Sequence, residues 1–302
     1  MDKIGLVSIT YNSEDVLQPF LDCVWDQGYN NLILYVIDNA STDNTLSILK
    51  RNYDPRLVVI KNKTNFGVAK ANNQGILKAI EEECDHILII NNDVEFESSL
   101  IKKLIKIQNE YNCSLVSPKM MYFNTPNNIW YAGSWFQKYK GYLPLHRGIQ
   151  ELDQGQYDET VEVEYAPTCC LLVKKEVFQD IGMMDEKYFV YFDDTDFSYR
   201  ILQDGRHKIF YFPHVKFYHK VGSLTKSFYN DIKKTYRGNF FIKQNIRNHI
   251  YFLKKIGGVF AYLFIVWLFF KNNIRFFTNP KIRKNFATWQ LINKSYFEGI
   301  KL

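Results

Sequence analysis

The sequence of 302 residues predicts an α/β fold built on a mostly parallel, Rossmann-like sheet flanked by helices. Strand-like apolar runs alternate with helical segments four times before residue 94, as in doubly wound sheets. The run at 87–90 is apolar throughout, which is typical of a strand covered on both faces. Hydrophobic residues make up 46% of the chain, enough for one large domain with appendages or for two smaller domains.

The first 93 residues supply the alternating elements. Right-handed crossovers between parallel strands place the carboxyl ends of these strands at one edge of the sheet. Ser13 is predicted to cap the first helix. In chain order we predict a strand at 4–9, a helix at 16–25, a strand at 32–37, a helix at 45–51, a strand at 57–60, a helix at 68–83 and a strand at 87–90.

The pattern loosens after Asp93. The stretch 124–164 is rich in Gly, Pro, Tyr and Trp. This composition predicts a long loop or small hairpin region over the edge of the sheet where the carboxyl ends of the strands lie. Loops of that length are usually functional. The other predicted elements of this part are a helix at 99–111, a strand at 115–118, a core strand at 165–173, a helical turn at 175–181, an acidic run at 188–200, and strands at 209–212 and 215–219.

Charge is distributed unevenly along the chain. From residue 216 onward there are 17 Lys or Arg against two acidic residues, so the rest of the chain carries a net charge of −9. A basic tail on an acidic body indicates an anionic partner, either a membrane surface or a nucleic acid. Nucleic-acid binding would fall steeply with salt.

The tail also contains an apolar, aromatic run at 258–270, flanked by basic residues. Thirteen residues are too few for a membrane-spanning helix, which needs about 20. The sequence therefore predicts an interfacial helix on an anionic membrane surface. The alternative is a packed helical extension or a dimer contact.

The cysteines carry no sign of a disulfide framework. There are five, an odd number, and none forms a CxxC pair. The opening residues 1–5 are typical of a first strand and not of a signal peptide. We therefore expect reduced thiols and a cytoplasmic protein.

Polar side chains follow three of the predicted strands. Three strand ends at one edge of a sheet favour a nucleotide pocket, because ligands of open α/β sheets bind there. The alternative is that these residues only cap helices. No GxGxxG or GxxxxGK[ST] motif is present, so dinucleotide and P-loop sites find no support. The residues concerned are Thr10, Tyr11, Asn12, Asp38, Asn39, Asn91, Asn92 and Asp93.

Three carboxylates lie within four residues at 193–196, after an aromatic run at 188–192. Their mutual repulsion and the apolar flank both raise pKa values, which is how a general base is tuned. The alternative is a solvated acidic helix start, where aspartates favour the helix dipole. Asp196 is the more structural member, because Arg200 lies four residues further along a helix.

Two histidines, His214 and His219, follow the strand at 209–212. On one strand they would face opposite sides, so they are not expected to bind one metal together. Asp93 with one histidine gives a mixed oxygen and nitrogen set that suits Mn²⁺ or Mg²⁺, completed by phosphate and water.

Five motifs in order resemble glycosyltransferase family 2, the inverting enzymes of the GT-A fold, and most closely the bacterial rhamnosyltransferase-like branch. His219 and the pair Arg247-Asn248 fit later motifs of the family. Each motif alone is weak, but the ordered set is specific and covers about residues 4–250. The motifs are VSITYN at 7–12, VIDNASTD at 36–43, NFGVAKANN at 65–73, LIINND at 88–93 and MDEKYFVYFDDTD at 184–196.

The resemblance implies roles for individual residues. Asp194 would be the catalytic base, and Asp93 with His219 would bind a divalent ion, Mn²⁺ or Mg²⁺, on the donor diphosphate. The family's DxD motif is reduced here to Asn91-Asn92-Asp93, and the usual Glu before the base is Asp193. The residues expected to bind the nucleotide sugar are Thr10, Asn12, Asp38, Asn39, Asn65, Lys70 and Asn92.

The resemblance also implies a reaction. A sugar would pass with inversion from a nucleoside-diphosphate donor to a hydroxyl of a growing glycan. The closest branch suggests dTDP-rhamnose as donor, with a UDP-hexose as the alternative. Trp130, Trp135 and Asp193 are candidates for the acceptor side. A lipid-linked glycan at the inner membrane face is the expected acceptor. A rival of another class, a non-catalytic nucleotide-sugar or membrane-binding module, would be expected to lack the base.

The predicted organisation has two parts. Residues 1–224 would form the GT-A domain, with a nucleotide-binding half at 1–95 and an acceptor-binding half at 96–224. Residues 225–302 would form a basic, aromatic, helical tail on the membrane, or a contact in a homodimer.

Overall fold

The computed structural model describes residues 2–221, 238–278 and 286–302. The predicted alternation in the first 93 residues is confirmed. Its elements are β1 (Ile4–Thr10), α1 (Leu17–Trp25), β2 (Leu32–Asp38), α2 (Thr45–Arg51), β3 (Leu57–Lys61), α3 (Val68–Glu81) and β4 (His86–Ile90). The body continues with β5 (Val94–Phe96), α4 (Leu100–Glu110), β6 (Leu115–Pro118), β7 (Met120–Tyr122), β8 (Ile129–Tyr131), β9 (Ser134–Gln137), β10 (Leu143–His146), β11 (Val161–Val163), β12 (Cys170–Lys174), α5 (Lys175–Ile181), α6 (Asp193–Asp204), β13 (Ile209–Phe212) and β14 (Phe217–His219).

Within the described residues, eight strands form the main sheet, in the order β11-β13-β6-β12-β4-β1-β2-β3. The four strands β1 to β4 run parallel, with Thr10 opposite Asp38 at their carboxyl ends. β12 is antiparallel to both β4 and β6, so the sheet is mixed beyond β4. The side chains of β1, β2 and β4 are almost all buried, as expected for strands covered on both faces.

The stretch predicted as a loop or hairpin region contains short strands. β9 and β10 form an antiparallel hairpin, and β8 joins a second sheet of order β5-β14-β7-β8. In that sheet Val94 pairs with His219, which brings the chain just after Asp93 against the end of β14. The second sheet therefore places a histidine beside the carboxyl edge of the main sheet.

Three sequence expectations about local structure are wrong. The strand predicted at 165–173 begins only at Cys170, because Pro167 has no N–H for a sheet ladder. The strand predicted at 215–219 begins at Phe217, so His214 lies outside it. Ser13 does not cap α1 through its side chain, since its hydroxyl accepts hydrogen bonds from the Tyr11 N–H and the Asn92 amide.

The tail is helical, as predicted, in its described residues. Its helices are α7 (Asn239–Ile256), α8 (Gly258–Thr278) and α9 (Phe286–Lys301). α7 packs on the body through a cluster in which Tyr251 and Phe252 meet Tyr188 and Phe192. The predicted boundary between residues 224 and 225 lies outside the described residues.

We predicted that the apolar run of the tail is too short to span a membrane, and this prediction is wrong. α8 has 21 residues, because the helix continues beyond Phe270 through lysine and asparagine. It is the one helix of the described residues that is long and apolar enough to cross a membrane, by length and composition only. Its length therefore does not decide between a spanning and an interfacial position.

Candidate active site

The carboxyl ends of β1 and β2 are joined by a buried carboxylate. Asp38 Oδ1 accepts hydrogen bonds from the hydroxyls of Thr10 at 3.0 Å and Ser41 at 2.5 Å. Its Oδ2 accepts the Ser41 N–H at 3.1 Å. Thr10 and Asp38, which the resemblance places at the nucleotide, thus form one fixed group at the edge of the sheet.

Three asparagines shape the loops around this group. Asn12 has a left-handed backbone with φ of 50°, and its Oδ1 accepts the Thr42 N–H at 2.8 Å. Asn39 donates to the carbonyl of Gly67 at 3.1 Å, and Asn65 accepts the N–H of Gly67 at 2.9 Å. The side chains predicted to bind the nucleotide sugar therefore connect the loops after β1 and β2 to the start of α3.

Lys70 lies one turn into α3. Its ammonium is 3.6 Å from a carboxylate oxygen of Glu186 and 4.8 Å from the centre of the Phe66 ring. Lys70 therefore sits beside the segment that leads to Asp194. Contact of Lys70 with a donor stays a prediction.

Asn92 and Asp93 follow β4. Asn92 is fully buried and donates to the Ile9 carbonyl and the Ser13 hydroxyl, each at 2.9 Å, so it fixes the end of β4 to β1. Its predicted contact with the nucleotide sugar stays a prediction. Asp93 is 3% exposed, and its Oδ1 lies 3.4 Å from Nε2 of His219. The structure thus brings together the two residues predicted to bind a metal.

These two residues fit a divalent cation as a partial ligand set. Carboxylate oxygen and imidazole nitrogen both bind Mn²⁺, and two ligands that share an ion lie roughly 3 Å apart. The described residues hold no group of three or more His, Cys, Asp or Glu arranged for a metal. A cation at Asp93 and His219 would therefore need donor phosphate and water to complete its shell.

A line of rings leads from this corner to the acidic run. The Trp130 ring lies edge-on to His219 at 4.6 Å and to His146 at 4.9 Å between ring centres. His146 stacks on Tyr165 at 5.8 Å, and the Tyr165 hydroxyl donates to Oδ2 of Asp194 at 2.8 Å. Continuous side-chain contacts therefore join Asp93, through His219, to Asp194.

Asp194 is half-buried in the first turn of α6. Burial raises the pKa of its carboxyl, and hydrogen bonds from Tyr165 and Thr195 oppose that rise. The Thr195 N–H donates to Oδ1 at 2.7 Å. A raised pKa brings the carboxylate nearer to the range in which a general base works at neutral pH.

The two neighbouring aspartates differ from Asp194. Asp193 is buried, and burial followed by the charge of Asp194 raises the pKa of its carboxyl. Asp196 accepts the Arg200 guanidinium at 2.9 Å and the Lys255 ammonium at 2.6 Å. The predicted pairing of Asp196 with Arg200 is therefore confirmed, and Asp194 is the most exposed carboxylate of the three.

The structure does not bring Trp135 together with Asp194. Trp135 lines a cleft of about 260 Å³ with Gly205 and His207, at the opposite end of α6. Arg147 lies over its ring at 5.1 Å. The acceptor role of Trp135 stays a prediction without a contact to support it, whereas Trp130 packs against His219.

Sequence reasoning missed Tyr165 and His146. Tyr165 was placed in a core strand, although Pro167 two residues later is a signal that the strand begins further on. Burial and the charge of Asp194 raise the pKa of Tyr165 well above its ordinary value, so its hydroxyl stays protonated and donates. No sequence signal indicates His146, because its position depends on the β9–β10 hairpin.

A sequence model of the family described as "Glycosyl transferase family 2" matches residues 6–182, more than half of the chain. The chain belongs to glycosyltransferase family 2. The predictions of family, enzyme class and fold are therefore confirmed. Two relatives of this family 2 chain are named as rhamnosyltransferases. The dTDP-rhamnosyl transferase RfbF of Shigella flexneri is 26% identical over 73% of this chain and 70% of the relative. An N-acetylglucosaminyl-diphospho-decaprenol L-rhamnosyltransferase of Mycobacterium tuberculosis is 23% identical over 68% of this chain and 72% of the relative.

Another relative is the low-salt glycan biosynthesis hexosyltransferase Agl10 of Haloferax volcanii, 23% identical over 68% of this chain, where the match spans just under two thirds of the relative. Among solved structures, S. aureus TarS 1–349 superposes with a TM-score of 0.60 at 17% identity, over 98% of this chain and 80% of TarS. GalNAc-T7 with UDP, GalNAc and Mn²⁺ gives a TM-score of 0.59 at 13% identity, over 82% and 51%. At these identities the solved structures show the GT-A fold alone.

Proposed function

We propose that this family 2 chain transfers a sugar, with inversion, from a nucleoside-diphosphate donor to a hydroxyl of a growing cell-surface glycan. The observation that carries the proposal is the unbroken line of contacts from Asp93 and His219, through Trp130, to Asp194. These contacts support the proposal, because they connect the candidate cation ligands Asp93 and His219 with the candidate base Asp194.

In the proposed reaction Asp194 removes the proton of the acceptor hydroxyl as that oxygen attacks the anomeric carbon of the donor. The new carbon–oxygen bond forms while the bond from the anomeric carbon to the diphosphate breaks, and the diphosphate leaves with the bonding electrons. A single displacement inverts the anomeric centre. Tyr165 keeps Oδ2 of Asp194 oriented, and the Thr195 N–H holds Oδ1.

Asp93 and His219 would hold a divalent cation, Mn²⁺ or Mg²⁺, which neutralises charge on the diphosphate of the donor. Asp93 is the single carboxylate at the end of β4, since Asn91 and Asn92 precede it. We therefore expect the affinity for the cation to be low without donor and to rise with it.

We propose dTDP-rhamnose as the donor, because two relatives are named as rhamnosyltransferases. A UDP-hexose is the second candidate. It is favoured by a relative of Escherichia coli named as a UDP-Glc-dependent glucosyltransferase, 30% identical over 24% of this chain and 29% of the relative.

A panel of nucleotide sugars tests both donors. The whole protein is mixed with Mn²⁺ and each of dTDP-rhamnose, UDP-glucose, UDP-galactose and UDP-N-acetylglucosamine, and its melting temperature is followed. A donor that binds the folded protein stabilises it by an amount that grows with the ratio of donor concentration to Kd. Release of the nucleoside diphosphate is then measured for the donor that stabilises most. If no nucleotide sugar stabilises the protein or is cleaved, the proposed function is wrong.

We further propose that the tail places the enzyme on the inner face of the cell membrane, where a lipid-linked acceptor would lie. One face of α8 is apolar and exposed, and Lys271 lies over the Trp267 ring at 4.4 Å, as suits an anionic interface. The exposed face is formed by Val259, Leu263, Val266, Phe270, Ile274 and Phe277.

Vesicle flotation tests the membrane contact. The double variant Leu263→Glu with Phe270→Glu should lose binding to phosphatidylglycerol vesicles, whereas the control Tyr53→Glu with Leu152→Glu changes exposed apolar residues of the body and should keep it. Unchanged flotation of the α8 variant would refute the membrane proposal. A dimer that dissociates only in that variant, with no vesicle binding in the parent, would instead identify a contact between two copies.

A further inference from the structure

The backbone just before α6 has an unusual conformation. Tyr191 and Phe192 have φ of 65° and 70°, so two consecutive residues with large side chains occupy the left-handed region. That region is disfavoured for residues other than glycine. The surrounding structure must therefore hold Tyr191 and Phe192 in this conformation. Phe192 is the N-cap residue of α6, and Asp194 follows two positions later. The direction of the Asp194 side chain therefore depends on this turn.

One side chain of the tail holds the turn directly. Nδ2 of Asn248, in α7, donates to the carbonyl of Val190 at 2.8 Å and to the carbonyl of Tyr191 at 2.9 Å. Asn248 is fully buried, and both hydrogens of its amide are used in this way. Its Oδ1 accepts the Arg247 guanidinium at 2.7 Å, which fixes the plane of the amide.

The same segment is held from the opposite side by the nucleotide-binding half. The carbonyl of Phe189 accepts the N–H of Val68, at the start of α3, at 2.6 Å. Three consecutive carbonyls, those of residues 189 to 191, are thus held by α3 and by α7. The ring of Phe192 adds a stacked contact with His249 at 5.3 Å.

We propose that Asn248 is a positioning residue for the transfer reaction, which holds the left-handed turn at 191–192 so that Asp194 meets the acceptor hydroxyl. This inference rests on the proposed function and assigns the tail a part in catalysis beside its contact with the membrane. Asn248 touches no substrate in this proposal. It acts through the backbone that aims the base, so its loss should affect turnover and not the binding of the donor.

The variant Asn248→Ala tests the inference against the matched control Asn245→Ala. Asn245 lies three residues earlier on α7, and its amide donates only within the helix, to the Phe241 carbonyl at 3.0 Å. The substrate is the donor that the wild type cleaves in the nucleotide-sugar panel, with water as acceptor. Turnover is divided by the number of donor-binding sites found by titration, so an unfolded fraction does not enter the result.

For Asn248→Ala we expect turnover per donor-binding site to fall by about 10- to 100-fold, since a misplacement of about 1 Å costs that much. The KM for the donor should stay within about twofold, and Asn245→Ala should match the wild type. Asn248→Ser, which keeps one donor in a smaller side chain, should fall between the two and serves where the alanine variant yields too few binding sites.

Unchanged turnover per site in Asn248→Ala or Asn248→Ser, with stability alone reduced, would show a purely structural residue and overturn the inference. An equal loss in Asn245→Ala would also overturn it. Failure of the wild type to cleave any donor would instead refute the proposed function, so the two failures are distinguishable.

Discussion

Asp93 and Asp194 are placed by different means. Asp93 follows a buried strand of the central parallel sheet, and its position is set by the ladder between β1 and β4 and by the neighbouring Asn92. Asp194 follows a left-handed turn, and its carboxylate is oriented by Tyr165, 29 residues away in sequence. The turn itself is held by Asn248, more than 50 residues away. The candidate cation corner thus rests on the backbone ladder of the main sheet, whereas the candidate base is placed by side-chain contacts from other elements.

This difference indicates how each residue should respond to mutation. Changes that leave the sheet intact should spare the corner at Asp93, because backbone ladders resist single substitutions. Changes at any of the distant contacts should move the base without unfolding the sheet. Binding of a cation and turnover are therefore separable measurements.

The largest effect is expected for Asp194→Asn, which removes the base and keeps the shape of the side chain. Transfer should fall by about 10³-fold, the contribution of a general base, while donor binding by calorimetry stays unchanged. Asp204→Asn, in the last turn of the same helix, is the control and should keep full activity. Retained transfer in Asp194→Asn would exclude the base role of Asp194.

Asp93→Ala should lower transfer by about 100-fold, because the cation would lose its one carboxylate ligand from β4. Binding of Mn²⁺ in the presence of UDP, followed by electron paramagnetic resonance of the free ion, should weaken in parallel. Asp85→Ala changes an aspartate at the other end of β4 and should affect neither measurement. Full activity of Asp93→Ala with a persistent metal requirement would remove Asp93 from the site.

Gly67→Ala should disturb the base without touching the cation corner. Gly67 has φ of 83°, and an added Cβ would lie 2.3 Å from the Phe189 carbonyl oxygen. The strain and the clash should cost about 2–4 kcal/mol of unfolding free energy, measured in urea. Turnover should fall as residues 189–192 shift, while Mn²⁺ binding with UDP persists. Equal losses of turnover and of Mn²⁺ binding would mean that the surroundings of Asp194 and of Asp93 are not independent.

Tyr165→Phe should give the smallest effect, seen in the pH profile. The Tyr165 hydroxyl lowers the pKa of Asp194, so its removal raises that pKa. Because the ionised base is the active form, the acid limb of the kcat profile should move to higher pH. We expect a shift of about one pH unit, which corresponds to the energy of one hydrogen bond to a charged group. Tyr211→Phe, which loses a 2.9 Å bond to the Tyr157 carbonyl, should leave the profile unchanged.

The sequence predicted the sheet and the surroundings of Asp93 better than it predicted the surroundings of Asp194. The parallel strands and the pairing of Asp93 with His219 were expected from apolar runs, polar strand ends and the family resemblance, and the contact is present. Asp194 was expected from its motif, but its partners Tyr165 and Asn248 were not assigned to it. No local pattern indicates which side chains of other elements meet around Asp194. Similarly, the helix α8 is longer than its apolar run, since lysine and asparagine are compatible with a helix.

The packing of α7 on the turn before α6 bears on how short a fragment of the chain could be and still transfer sugar. A fragment that ends at residue 224 would keep every strand of the described sheets, yet it would lack Asn248 and the cover that Phe252 gives to Phe192. Such a fragment should fold its nucleotide half and bind donor while transferring sugar poorly. If Asn248 acts as proposed, the smallest competent enzyme extends to Ile256, the end of α7, and the tail is partly a component of the catalyst.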